Sequence, residues 1–132
     1  MKSVLPDTGV IIDLLDGDRT FEKELSSAER IIVTPSVIAE FMAGISSARR
    51  DKAKQSAFDA LIGNPSVEVV VHDQETANYY ASIYRYLKDQ GTMIPLGDIW
   101  IAASAMQHGA TILAKDRHYT LIPVLPVILG QK

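Results

Sequence analysis

Short apolar runs alternate with longer stretches of helical periodicity along the whole chain, and that alternation leaves few folds open. Residues 2–6 read as a first strand, and residues 8–16 as a helix with Val10, Ile11, Leu14 and Leu15 on one side, stopped at Gly17. A second helical piece, residues 19–28, leads into IIVT at 31–34, a β-branched run of the kind found in fully buried strands. Thr34 followed by Pro35 is a good helix start, and the helix runs to about residue 46 with Val37, Ile38, Phe41 and Ile45 as its stripe. SSARRDKAKQSAFDALI is a further helix that GNP ends, and VEVVV at 67–71 is the third strand. Residues 73–90 are helical and closed by Gly91, and DIWIAASAMQHG is apolar on nearly every side, as a buried helix is. TIL at 111–113 is a fourth strand, and LIPVLPVIL holds a fifth whose prolines confine it to an edge. Strands alternating with helices imply a three-layer α/β/α sandwich around a parallel sheet of about five short strands. One domain over residues 1–132 is expected, with no repeat, linker or low-complexity tract.

Composition narrows the chemistry. The 132 residues are 47% hydrophobic and 22% charged, within the ordinary globular range. The absence of cysteine removes disulfides, zinc-thiolate sites and thiol nucleophiles together. No stretch approaches the roughly 20 apolar residues that cross a bilayer, and the first residues do not resemble a signal peptide, so no membrane association and a cytoplasmic location are expected. A net charge of -3 excludes a whole-molecule basic field, so any polyanion needs a local basic patch.

The acids are the informative residues. In a parallel sheet with right-handed crossovers, strand C-termini and helix N-termini gather at one edge. Asp7 follows the first strand directly, and Asp116 follows the fourth by about two residues. Asp98 opens the buried helix, and Glu40 lies about five residues into the helix leaving the second strand, roughly 7 Å along it at the usual rise. Singly, each has a structural explanation: Asp7 and Asp98 as helix caps, Glu40 as a solvated flank, Asp116 as a turn former. Together they share one edge. Two carboxylates about 5 Å apart repel by roughly 3 kcal/mol at an effective dielectric near 20, and a domain has only about 5 to 15 kcal/mol in hand. Protonation, a basic partner or a divalent cation must relieve the cluster, and all-oxygen ligands suit Mg²⁺ or Mn²⁺.

VLPDTGVIIDLL, TPSVIAEFMAG, IPLGDIWIAASAMQHGATIL and AKDRHYTLIPVLPVI resemble, in order and over nearly the whole chain, the four motif segments of the PIN-domain family, most closely its small VapC-like toxin ribonucleases. The third segment is the most specific. Gly9 stands where that family usually has Ser or Asn, and Ala114 where a Thr or Ser usually supports the metal site; neither change removes a carboxylate. The resemblance implies a metal-dependent endoribonuclease, with Asp7, Asp98 and Asp116 holding one or two Mg²⁺ or Mn²⁺ and Glu40 ligating the metal or orienting the attacking water. It also implies an RNA substrate, a cognate antitoxin that blocks the groove with a basic segment, and a homodimer.

For substrate binding, Arg49, Arg50, Lys52 and Lys54 form a basic opening to one helix, read either as a solvated face or as a phosphate patch. Lys115 and Arg117 flank Asp116 and are the stronger candidates. Thr8 hydrogen-bonds a ligand carboxylate or a phosphate, or is merely an early helical residue. Tyr80, Ile83, Tyr84 and Leu87 share one helical face, read as core or homodimer contact before base stacking. His118 invites an acid/base role but has no partner visible in the sequence, and His108 beside Gly109 reads as a helix C-terminal histidine. Two rivals stay open: a receiver-like phosphoacceptor domain with Asp73 as acceptor and Lys115 near the last strand, and a catalytically silent interaction module.

Overall fold

The apolar runs pair into one sheet in a computed structural model that describes residues 2–45 and 50–131. The elements are β1 (Ser3–Pro6), α1 (Thr8–Leu15), α2 (Glu22–Ser27), β2 (Arg30–Val33), α3 (Pro35–Gly44), α4 (Arg50–Ile62), β3 (Val67–Val69), α5 (Gln74–Gln90), α6 (Leu96–His108), β4 (Thr111–Ala114) and β5 (Val127–Leu129), with a 3₁₀ helix at Arg117–Leu121. All five strands are parallel, in the order β3-β2-β1-β4-β5. This is the expected α/β/α class.

Neighbouring strand residues point to opposite faces, and here both faces are covered. Leu5, Ile32, Ile112 and Ala114 enter one buried cluster with Val37, Ile99 and Leu87, while Val4, Ile31 and Leu113 enter another with Val10 and Phe21. The polar caps are as local chemistry dictates. Thr34, fully buried, accepts a bond from the Val37 amide at 3.1 Å, and Asp73 and Thr76 form a reciprocal capping box at the start of α5. Gly91 and Gly109 close α5 and α6 with φ of +70° and +64°, where a side chain would be strained.

Four expectations shift. The second helix starts at Glu22 rather than residue 19, because the Thr20 amide and hydroxyl turn back onto the Asp18 carboxylate. β3 stops at Val69: it is an edge strand, and Val71 beyond it is 68% exposed. α6 begins at Leu96 with the Pro95 carbonyl accepting from the Asp98 and Ile99 amides, so Asp98 is the third helical residue and not its cap. The 3₁₀ helix after β4 was not anticipated. On α5, Ile83 and Leu87 are buried, Tyr80 stacks on Trp100 of α6 at 4.3 Å between ring centroids and Tyr84 packs on the same core, so all four residues of the expected core or dimer face contact the core.

Candidate active site

The strand order decides where the acids meet. From β1 the chain proceeds outward through β2 and β3, then returns past β1 to lay down β4 and β5 on the other side, so the direction reverses between β1 and β4. Ligands bind in open α/β sheets at such a reversal, outside the strand C-termini. β1 and β4 are in register with Pro6 beside Leu113, and the Asp7 amide donates to the Leu113 carbonyl at 3.0 Å. Asp7 and Asp116 therefore leave adjacent strands at the same edge.

Asp7, Asp98 and Asp116 each lie at a helix N-terminus, where the backbone dipole favours negative charge. Asp7 caps α1, its Oδ1 accepting from the Val10 amide at 3.0 Å. Asp98 sits in the first turn of α6, and Asp116 caps the 3₁₀ helix by accepting from the His118 amide at 3.0 Å. A pocket of about 280 Å³ is lined by Asp7, Gly9, Val10, Asp13, Asp98, Lys115, Asp116 and His118. Three of the four expected acids share it. Glu40 stands at its margin: Thr8 Oγ1 donates to Glu40 Oε1 at 2.5 Å, and a Cβ on Gly97 would lie 2.7 Å from Oε2. Gly97 is what lets the α3 carboxylate reach the start of α6.

Charge accumulates as anticipated. Burial, then the negative charges of Asp98, Asp116 and Glu40, push the Asp7 carboxyl up from 3.8 to about 6, against the lowering effect of its bond from Val10. Tyr119, 1% exposed beneath the cluster, has its hydroxyl pKa raised by burial and by the charges of Asp7, Asp98 and Glu40.

His118 and Asp13 are pocket residues to which sequence reasoning assigned no role there. His118 Nδ1 lies 3.0 Å from Asp98 Oδ2 and 3.3 Å from Asp116 Oδ1, so the ring has the acidic partners that the sequence did not reveal. Its one visible signal was the spacing of two from Asp116. The predicted substrate contacts fare unevenly. Thr8 is engaged with Glu40, and Lys115 is engaged with Asp13 and Asp18, each at 2.9 Å from Nζ. Arg117 is exposed and lines a cleft beside the pocket with Gly130 and Gln131. Arg49 lies outside the described residues; Arg50 opens α4, with its side chain likewise undescribed, and Lys54 approaches Asp16 at 3.5 Å.

Asp73 does not behave as a phosphoacceptor. It follows an edge strand, and its carboxylate is held by the Thr76 amide and by Gln107 Nε2 at 3.1 and 2.9 Å, which lower its pKa. The receiver-like alternative loses its site.

The donor chemistry of the pocket suits a hard divalent cation. Among the described residues no three Asp, Glu or His side chains are spaced as a ready-made ligand cage, and His118 satisfies Asp98 and Asp116 as they stand. The oxygen donors of Asp7, Asp98 and Asp116 match a hard cation such as Mg²⁺, which keeps several of its waters and is completed by them.

Comparison with known proteins agrees with this architecture. The chain is 29% identical over 118 residues to "Ribonuclease VapC1" of Methanocaldococcus jannaschii, covering 89% of this chain and 79% of that protein. It is 34% identical over 56 residues to "Ribonuclease VapC4" of Mycobacterium tuberculosis, a match spanning 42% of this chain and less than half, 43%, of that relative. Its backbone superposes on VapBC2 from Rickettsia felis, solved bound to a DNA fragment from their promoter, with a TM-score of 0.86 at 20% identity, covering 98% of this chain and 99% of that one. It is also similar to FitAcB from Neisseria gonorrhoeae, with a TM-score of 0.77 at 26% identity, covering 95% and 96%. Among the described residues no helix is long and apolar enough to cross a membrane. With the PIN domain profile matching residues 4–124, across every strand up to β4 and every one of the four acids, this chain belongs to the PIN domain family.

Proposed function

We propose that the protein is a Mg²⁺- or Mn²⁺-dependent endoribonuclease that hydrolyses RNA phosphodiester bonds, and that it is the toxin of a toxin-antitoxin pair. The observation that carries this reading is the meeting of Asp7, Asp98 and Asp116 in one pocket at the sheet's reversal point, with Asp7 held near a pKa of about 6. Support comes from relatives named as VapC ribonucleases and from the fold shared with VapBC.

Asp7, Asp98 and Asp116 would hold the cation, and a bound divalent cation supplies a more acidic water and neutralises charge on the scissile phosphate. The chain's own contribution is positional. Asp7 is fixed by the Val10 amide and Asp116 by the His118 amide, so two of the three carboxylates are set by backbone donors rather than by mobile side chains. Glu40 has one oxygen committed to Thr8, which leaves Oε2 to accept a proton from the attacking water. Water's oxygen joins phosphorus as the bond to the 3′ oxygen breaks, and that oxygen takes up a proton from solvent, leaving a 5′-phosphate and a 3′-hydroxyl. Because the 2′-hydroxyl takes no part in that chemistry, preference for RNA rests on binding.

For the antitoxin, a cleft of about 350 Å³ on the other side of α1, lined by Pro6, Ile11, Leu14, Leu25 and Leu61 among others, offers apolar contact, while the acidic pocket offers a place for a basic side chain. A homodimer and a cytoplasmic location complete the proposal.

The test is cleavage of single-stranded RNA by the purified protein. Cutting with Mg²⁺ or Mn²⁺ that stops with EDTA and is abolished by Asp98→Asn supports the reading. Cutting that survives both EDTA and Asp98→Asn defeats it, as does no cutting with either metal.

A further inference from the structure

Lys115 is the residue whose surroundings depart furthest from its appearance in the sequence. Beside Asp116 it reads as a phosphate contact, yet its ammonium lies 2.9 Å from Asp13 Oδ2 and 2.9 Å from Asp18 Oδ2, and its side chain is only 18% exposed. Both acids belong to the far end of α1 and the turn that follows. That turn is itself ordered: the Asp18 amide donates to the Asp13 carbonyl at 2.9 Å, and Thr20 donates to Asp18 from its amide and its hydroxyl.

These contacts close a ring. Asp7 caps the first turn of α1, Asp13 lies near its end, Lys115 crosses to Asp13 and Asp18, and Asp116 is the next residue. The strands hold the end of β4 through the Asp7 amide on Leu113 and the Gly130 amide on Ala114, and Tyr119 buries the 3₁₀ helix in the core; Lys115 adds a link from the stretch between them to α1. Between Ala114 and the buried Tyr119, it is the Lys115 side chain that fixes where the chain bearing Asp116 lies relative to the end of α1. That segment carries Asp116 and His118; the His118 ring contacts the carboxylates of Asp98 and Asp116.

We propose that Lys115 is a positioning residue, which ties the segment bearing Asp116 to the end of α1 and so sets Asp116 against Asp7, rather than a contact to the substrate. The proposal rests on the nuclease reading for its kinetic consequence, though not for the tether itself.

The informative variant keeps net charge constant. Lys115→Met/Asp13→Asn removes one positive and one negative charge, both from the pocket lining, and breaks the tether, so the net charge at the proposed metal site is unchanged. With the full chain, RNA and Mn²⁺, kcat is expected to fall on the order of ten- to a hundredfold, because displacements of about 1 Å carry penalties of that order. KM for RNA is expected to stay within about twofold. Lys115→Arg, which can still bridge two carboxylates, is expected to keep most of kcat. Asp13→Asn/Asp18→Asn releases the ammonium without removing it, and is expected to lower kcat with no gain in KM. A substrate contact predicts the reverse: KM rising in Lys115→Met at unchanged kcat, and KM improving when the two acids are neutralised. Either result overturns the proposal. Amide hydrogen exchange at residues 115–119 reads the tether independently of RNA. Exchange at least about tenfold faster in the charge-balanced variant supports it, and unchanged exchange overturns it. A wild type that cuts no RNA defeats the nuclease reading, and the exchange result then decides the tether alone.

Discussion

Replacing Asp7 by Asn tests whether the pocket is electrostatically uncomfortable without a cation. Burial, with additions from three neighbouring acids, pushes the Asp7 carboxyl up from 3.8 to about 6. At about 1.4 kcal/mol per unit, ionising it in the folded chain costs up to about 3 kcal/mol more than in the unfolded one. The sign follows from proton counts. Between about pH 4 and pH 6 the native protein holds a proton that the unfolded chain has released, so stability falls as pH rises through that window and is flat above it. Asn caps a helix as well as Asp does, so the bond from the Val10 amide survives while the charge goes. In EDTA at pH 8, Asp7→Asn is expected to be more stable than wild type by about 1 to 3 kcal/mol, or roughly 4 to 10 °C in Tm. Its stability should also lack the decline between pH 4 and 6. Saturating Mg²⁺ should raise the wild-type Tm and leave the variant nearly unmoved. Thermal melts across pH measure all three. A less stable variant at pH 8 together with an unchanged pH slope would show that the Asp7 charge is already well satisfied, and the reasoning would fail.

Gly97→Ala places a Cβ 2.7 Å from Glu40 Oε2; the carboxylate can swing away, so stability should change by less than about 1 kcal/mol while RNA cleavage falls on the order of tenfold. Melting and initial rates on one preparation separate the two effects. Thr34→Ala removes a buried cap and should cost about 1 to 2 kcal/mol by urea denaturation. Val124, a β-branched residue at φ +55° and 93% exposed, is strained with nothing packed over it, so Val124→Gly should stabilise the protein by up to about 1 kcal/mol by the same assay.

The sequence made the elements and the edge of the acids legible because both follow from local pattern: IIVT and TIL announce buried strands, and Asp7 lies directly after one. The order of the strands is not local. That β1 lies between β2 and β4, which brings Asp7 to Asp116, is settled by pairing across the sheet. The partners of Lys115 are hidden for the same reason, since they lie 102 and 97 residues away, whereas a lysine beside an acid looks like a substrate contact. His118 stayed unassigned because the five-residue 3₁₀ helix that aims it at Asp98 is too short to show a period. Asp98 was placed on the correct helix but as its cap, because a proline in the cap position leaves no side-chain signal.

The claim on which the rest depends is that Asp7, Asp98 and Asp116 form a cation site. Diffraction from crystals soaked in Mn²⁺, recorded near the manganese absorption edge, measures it directly. The account predicts an anomalous peak in the pocket within bonding distance of at least one of these carboxylates, lost in Asp98→Asn crystals. Well-ordered crystals at saturating Mn²⁺ with no peak there, or a peak that persists in the variant, would contradict it.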